Sequence, residues 1–370
     1  MKKRAVEILN YRNVDRMPAV HFGYWHELLA EWAEQGHISK EISDNWWDGS
    51  PGDHELDRLL GWDHGWVNMA GGNVWLKPAF EKKVIEKLPD GFLRVQTPDG
   101  TIERIREGAG SIPAEDDYLL KDRDAWEKLF KPKMQFSEDR IDAKFLENFN
   151  KRFAGAHYPI GLEGGSILGT IRNILTVVGL SYALCDDYDL VREIVDTFAD
   201  MQYKVCEAVL KTGAKFDYAQ FWEDICFKNG PLISPVMFDE LCAHHYKKRT
   251  QLFAKYSINI VSLDCDGVTE SLIKTWFDNG VNTLFPIEIG VWGDQFEAAR
   301  KKYGKGLLGV GGMDKTAFRK DKSAVDKEIE RMKRLAGLGG FLPCPDHRLM
   351  PGTKFELVQY YTDKIKQIKL

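Results

Sequence analysis

From about residue 155 the chain alternates short apolar runs with longer amphipathic phrases. "HYPIGLEG", "FDYAQFWED", "INIVSLDCDG", "NTLFPIEIG", "LLGVGGMDK" and "GFLPCPDH" are brief and mostly apolar, and they read as strands. Between them, "DYDLVREIVDTFADMQYKVCEAVLKTG", "SPVMFDELCAHHYKKRTQLFAKYS" and "SAVDKEIERMKRLAGLG" repeat apolar positions at helical spacing. Ser234 before Pro235 marks a helix start, and Gly213, Gly280 and Gly339 mark helix ends. Strand–helix alternation of this length predicts a parallel sheet with helices outside. No GxGxxG or GxxxxGK[ST] follows a strand, so a dinucleotide or P-loop fold lacks its phosphate cradle. The pattern predicts an α/β fold, a distorted (β/α)8 TIM barrel.

The first 150 residues are less regular. "KKRAVEILNY" places Ala5, Ile8 and Leu9 on one helical face, and "DRMPAVHFGYW" turns into a first strand. Residues 40–115 are rich in Trp, Gly and Asp, as expected of a lid or pocket wall. Within them "FLRVQTPDGTIERI" predicts a β-hairpin at about 92–106. "EDDYLLKDRDAWEKLFKPK" reads as a polar helical connection. The expected organisation is one barrel domain over 1–370, irregular in 1–150 and regular in 155–365.

Composition narrows the class. Hydrophobic residues make up 44% and charged residues 29%, an ordinary soluble balance. With 51 basic against 56 acidic residues, no net field draws the chain to nucleic acid or a membrane. Six cysteines without a CxxC pair suit a reducing cytoplasm, and no segment is expected to be a signal peptide or a membrane span.

The chemistry concentrates where the strand-like runs end, which in a barrel is the active-site face. Those ends carry Glu163, Glu223 with Asp224, Asp264 with Asp266, Glu288, Asp314 with Lys315, and Asp346 with His347. Strand alternation turns Ser262, Asp264 and Asp266 to one face and Cys265 to the other, so Cys265 reads as core. Adjacent like charges on one face need a cation, a metal or a shared proton. Arg172, Lys228, Lys315 and Arg348 are candidate cations, and His347 is the best-placed imidazole. His21, Tyr24, Trp25 and His26, which follow the first strand, and Trp222 are expected to line a pocket. His244 and His245 belong to an amphipathic helix and read as a solvated or packing face. No Gly-x-Ser-x-Gly elbow is present.

"FWEDICFKNGPLISP", "VSLDCDG", "LIKTWFDNGVNTLFPIEIG", "GVGGMDK" and "GFLPCPDHRLMPGT" together resemble the uroporphyrinogen decarboxylase-like superfamily, in its corrinoid-dependent methyltransferase branch. The likeness covers roughly 155–365, with a fainter echo in "YRNVDRMPAV". It implies a distorted barrel with its pocket at the strand ends. True decarboxylases of this type carry an RQAGR-like motif after the first strand, where this chain has "HFGYWHELLAEW" without an arginine. In the methyltransferases a His-x-Cys pair and a later Cys hold zinc. Asp264-x-Asp266 and His347 stand at those places here, a harder set that points to an oxygen-bearing donor.

The resemblance implies a methyltransferase demethylating a small methylated compound, expected to be an O-methyl one, with a corrinoid protein as partner. Asp264, Asp266 and His347 are the expected holders of Zn2+ or another divalent metal, unless an acid takes its place. Glu223, Asp224, Glu288 and His347 are the expected catalytic set. His21, Tyr24, Trp25, Arg172, Trp222, Lys228, Asp314 and Lys315 are expected on the substrate. The corrinoid is expected on the partner, the location in the cytoplasm, and a homodimer is allowed for. A decarboxylase and a non-catalytic ligand-binding barrel are the alternatives.

Overall fold

Each of the six strand-like runs forms a strand, and the strands curl around one axis. The structure, a computed structural model, describes residues 3–106, 113–293 and 295–369. The barrel strands are β1 (Val20–His21), β2 (His64–Gly65, resumed at Met69–Ala70), β3 (Gly161–Glu163), β4 (Tyr218–Trp222), β5 (Val261–Asp264), β6 (Thr283–Ile287), β7 (Leu308–Met313) and β8 (Phe341–Pro345). Met69–Ala70 and β3 to β8 pair in chain order, all parallel. His64–Gly65 pairs with β1 instead. The ring closes where β1 lies against β8 and a parallel bridge joins Tyr24 to Leu349. This is a distorted (β/α)8 barrel.

The distortion has a local cause. β2 breaks at residues 66–68 because Trp66 packs face to face with Tyr218, ring centroids 4.5 Å apart, and the Tyr218 hydroxyl donates to the Trp66 carbonyl. A short, Trp-containing interruption of this kind hides the second strand from any alternation pattern, and sequence reading missed it. Phe22 and Phe285, tilted against each other with centroids 4.4 Å apart, continue the aromatic contacts toward the strand ends.

Outside, the helix Tyr188–Lys211 buries Leu190, Val191, Ile194, Val195 and Phe198 along one stripe. Each such burial contributes about 1.5–3 kcal/mol over exposure. Asp187 caps its start, accepting from the Leu190 N–H at 3.0 Å. Ser234 caps the next helical stretch at Pro235 as expected. The predicted hairpin forms (Phe92–Gln96 with Thr101–Arg106) inside a four-stranded antiparallel sheet that Lys83–Lys87 and Ala114–Tyr118 complete. Ala114–Tyr118 corrects the helical expectation for "EDDYLLK". Its acidic residues form an edge strand, where Arg94 reaches Asp116 at 2.6 Å. The polar phrase turns helical only from Arg123.

One expectation about membranes needs amending. The helix Leu168–Asp186 is long and apolar enough to cross a bilayer by length and composition. Half of that stretch is buried inside the fold, and Thr176 leaves helical geometry (φ 64°, ψ 166°), bending it around the barrel. It packs as a core helix.

His64 at the start of β2 is buried, and its Nδ1–H donates to the Gly65 carbonyl at 2.9 Å. Burial pushes its pKa down to about 4. As pH falls from about 6.5, the unfolded chain binds a proton that the folded chain refuses until about 4, so stability is lost across that window. The total loss is at most about 3 kcal/mol. Urea denaturation at pH 7, 5.5 and 4.5 is expected to show this slope, and His64→Gln to flatten it.

Candidate functional site

The acids at the strand ends divide into two groups once their partners are identified. Glu163 accepts the Gly165 N–H (2.8 Å), and Asp346 accepts N–H groups of Ile289 (2.9 Å), Gly290 (3.3 Å) and Lys315 (3.0 Å). Glu223 is fully buried and takes N–H groups of Ile167 (2.9 Å) and Gly169 (2.7 Å) and the Tyr246 hydroxyl. Asp314 caps the turn at Thr316 (2.9 Å), and Glu288 takes the Gly267 N–H (2.7 Å). These five tie loops to the barrel. A carboxylate accepting several backbone N–H groups satisfies donors that burial would otherwise leave costly.

The remaining three, Asp224, Asp264 and Asp266, face a cavity of about 590 Å3. Phe22, Tyr24, Trp25, Trp46, Trp47 and Trp222 supply its ring surfaces, with His347 and Arg348 at its side. β5 sets Asp264 beside Trp222 of β4 in register. Asp224 follows β4 at φ 45°, a left-handed conformation that Asp tolerates better than most residues, and accepts the Asp266 N–H at 3.0 Å. Burial and the charge of Asp266 push the Asp224 carboxyl up to about 6. Burial, then Asp224 and Asp266, raise Asp264 well above the usual carboxylate range. Burial and Asp266 raise Glu288 as well. Asp266 keeps one oxygen, Oδ1, buried with no partner.

His347 reveals which nitrogen holds its proton. The Arg348 N–H donates to Nδ1 at 2.7 Å, so Nδ1 offers a lone pair and a neutral ring carries its hydrogen on Nε2, aimed at Asp266 Oδ2 3.0 Å away. Trp25 stacks parallel on this ring at 6.0 Å. Among the described residues three sets of ligand atoms lie close together: Asp196–His244–His245 on the outer helices, away from the cavity lining, and Asp224–Asp264–Asp266 and Asp266–Glu288–His347 at the strand ends. None reproduces the expected trio of Asp264, Asp266 and His347. The imidazole presents a proton to this space, Cys265 is buried against Cys226, and Cys344 is fully buried. Zinc held by imidazole and thiolate therefore does not fit these residues.

Other expected residues fall at varying distances from the cavity. Tyr24, Trp25 and Trp222 line it. His21 lies beneath, its Nε2–H on Asp57 (2.8 Å) while Nδ1 accepts the Gly23 N–H (2.9 Å). The neighbouring carboxylates strengthen that ring's hold on a proton against its burial. Arg172 sits 5.6 Å from the Trp222 ring and helps hold the Asp224 charge. Lys315 is 3.9 Å from Asp346 and serves the loop bracket. Lys228 is exposed on the hairpin after β4, outside the cavity lining. Sequence reading missed Trp46, Trp47 and Asp48 individually, although "NWWDG" lies in the stretch expected to form a pocket wall. Asp48 binds both Arg348 nitrogens (3.0 and 2.6 Å). The hairpin sheet contributes no described residue to the cavity lining.

Removing the Glu223 carboxylate strands two backbone N–H groups and a tyrosine hydroxyl in a dry interior. Glu223→Ala is expected to cost about 3–5 kcal/mol of stability by urea denaturation, and Glu223→Gln about 1–2 kcal/mol. A near-neutral stability change paired with loss of activity would move Glu223 from the loop bracket into the chemistry.

Similarity to known proteins agrees with the barrel. The profile of the family described as Uroporphyrinogen decarboxylase (URO-D) matches residues 171–368. Among solved structures, a methyltransferase from Methanosarcina mazei superposes with TM-score 0.59 at 14% identity, covering 98% of this chain and 97% of that one. A B12-independent methionine synthase from Shewanella sp. W3-18-1 follows at TM-score 0.44 and 10% identity, covering 95% and 96%. No curated protein sequence matches. The profile spans more than half of the 370 residues, and the chain belongs to the uroporphyrinogen decarboxylase family.

Proposed function

We propose that this chain is a methyltransferase that takes a methyl group from a small methylated compound seated against Asp224, Asp264 and Asp266 and passes it to a corrinoid carried by a separate protein. The observation that carries the reading is the cavity itself. One buried and two partly buried carboxylates and one imidazole N–H converge under aromatic rings at the strand ends, in a space of about 590 Å3 that suits a small molecule. The barrel shared with the Methanosarcina mazei methyltransferase leads to this class of reaction. The corrinoid would supply a strongly nucleophilic reduced metal centre as methyl acceptor. The chain's residues do the rest: the rings exclude water and orient the donor, and Asp266 and His347 hold its heteroatom side.

For an oxygen donor the leaving atom needs a proton, and Asp264, whose carboxyl is raised well above the usual range by burial and its two neighbours, is the group to give it. Decarboxylation is the second reading, because it is the activity in the family's name. A polycarboxylate substrate would face the aspartates, with Arg348 already bound to Asp48.

Purified protein with a reduced, demonstrably competent corrinoid protein is expected to form methylcobalamin, read by absorbance, from at least one donor in a panel of methoxyarenes and methylammonium compounds. Asp264→Asn is expected to slow transfer from an oxygen donor by about 10²–10⁴-fold. Absence of transfer across the panel, or carbon dioxide release from a porphyrinogen, would overturn the reading.

A further inference from the structure

We infer that the methyl donor is a small organic cation, a methylated ammonium, whose positive charge is the partner the cavity aspartates lack. This rests on the methyl-transfer reading and names its substrate class. Three observations converge on it.

The first is a charge count. Asp224, Asp264 and Asp266 face the cavity, with Glu288 behind them. Among the described residues nearby, the cations are largely spent: Arg348 is bidentate on Asp48, and Lys315 lies by Asp346. His347 in its neutral form donates one hydrogen bond and carries no charge. Arg172, beside Trp222, is the one cation left to balance the group. The buried Oδ1 of Asp266 has no partner at all. An uncharged donor would leave the three carboxyls crowded without a positive partner, and an anionic one would add to their repulsion.

The second is the wall. Trp25, Trp46, Trp47 and Trp222, with Phe22 and Tyr24, present ring surfaces to the same space. Ring faces attract quaternary ammonium groups through their quadrupole, and carboxylates beside them add the long-range attraction. The same six rings would offer a neutral donor only apolar contact.

The third is chemical. The zinc ligand set that would activate a neutral donor does not fit here, so activation must come from elsewhere. A methylated ammonium carries its own: the carbon–nitrogen bond breaks with its electron pair remaining on nitrogen, which leaves as a neutral amine. The new bond to carbon uses the electron pair of the corrinoid acceptor. No proton and no metal at the donor are required.

The test is direct binding to the full chain, which does not depend on turnover. Calorimetry and tryptophan fluorescence are measured with tetramethylammonium, with choline, with 3,3-dimethylbutan-1-ol (the uncharged carbon isostere of choline) and with anisole. Choline or tetramethylammonium is expected to bind at least tenfold more tightly than the isostere and anisole. Asp266→Asn keeps an acceptor for His347 and is expected to weaken cation binding at least tenfold at unchanged Tm; Trp25→Leu is expected to weaken it several-fold. The inference is overturned if the isostere or anisole binds as tightly as the cations, if neither cation binds, or if only Mg2+ or Zn2+ raises the Tm through Asp266. Cation binding without methyl transfer to a competent corrinoid protein would sink the methyltransferase reading alone. Transfer from anisole without cation preference would sink this inference alone.

Discussion

Like charges crowded into a half-dry space govern the face at the strand ends of this barrel. Asp224, Asp264 and Asp266 are brought within reach of one another by the ends of two neighbouring parallel strands. Burial, and after it their mutual repulsion, raise the Asp224 and Asp264 carboxyls, a shift that a positive partner would reverse. Folding must tolerate that cost, and the rest of the mouth is built so that it can.

The tolerance comes from a second set of acids. Glu163, Glu223, Glu288, Asp314 and Asp346 spend their oxygens on backbone N–H groups of the loops that follow the strands. Each loop is therefore tied to the barrel by a charge-assisted hydrogen bond, and the cavity-facing aspartates gain a rigid frame. The Arg348–Asp48 pair and the Asp266–His347 contact add ties between the segment after β5, the end of β8 and the turn before the helix Pro51–Leu60. The Arg348 N–H donates to Nδ1 of His347, which leaves the Nε2 side of the ring to meet Asp266 and Glu288.

Much of the scaffold was legible along the chain. Six strands from β3 to β8 announced themselves as short apolar runs, because a strand covered on both faces has no room for polar residues. β2 was not legible, since it is two dipeptides separated by Trp66, and its pairing depends on what lies beside it. The edge strand Ala114–Tyr118 was hidden for a related reason: exposed acidic residues carry no alternation, and only the partner strand makes them extended.

The site divides in the same way. Strand ends and two-residue alternation were enough to place acids at one mouth and to turn Cys265 into the core, because covalent geometry fixes which way consecutive side chains point. Which acids would face solvent space and which would be consumed by loop N–H groups depended on loops arriving from distant parts of the chain. The same holds for Trp46 and Trp47, whose rings reach the cavity from a segment remote in sequence. Local order along the chain determined the barrel and its acidic rim. Contacts between residues far apart decided which acids spend their oxygens on loop N–H groups and which face the cavity, a distinction set by hydrogen-bond satisfaction and burial.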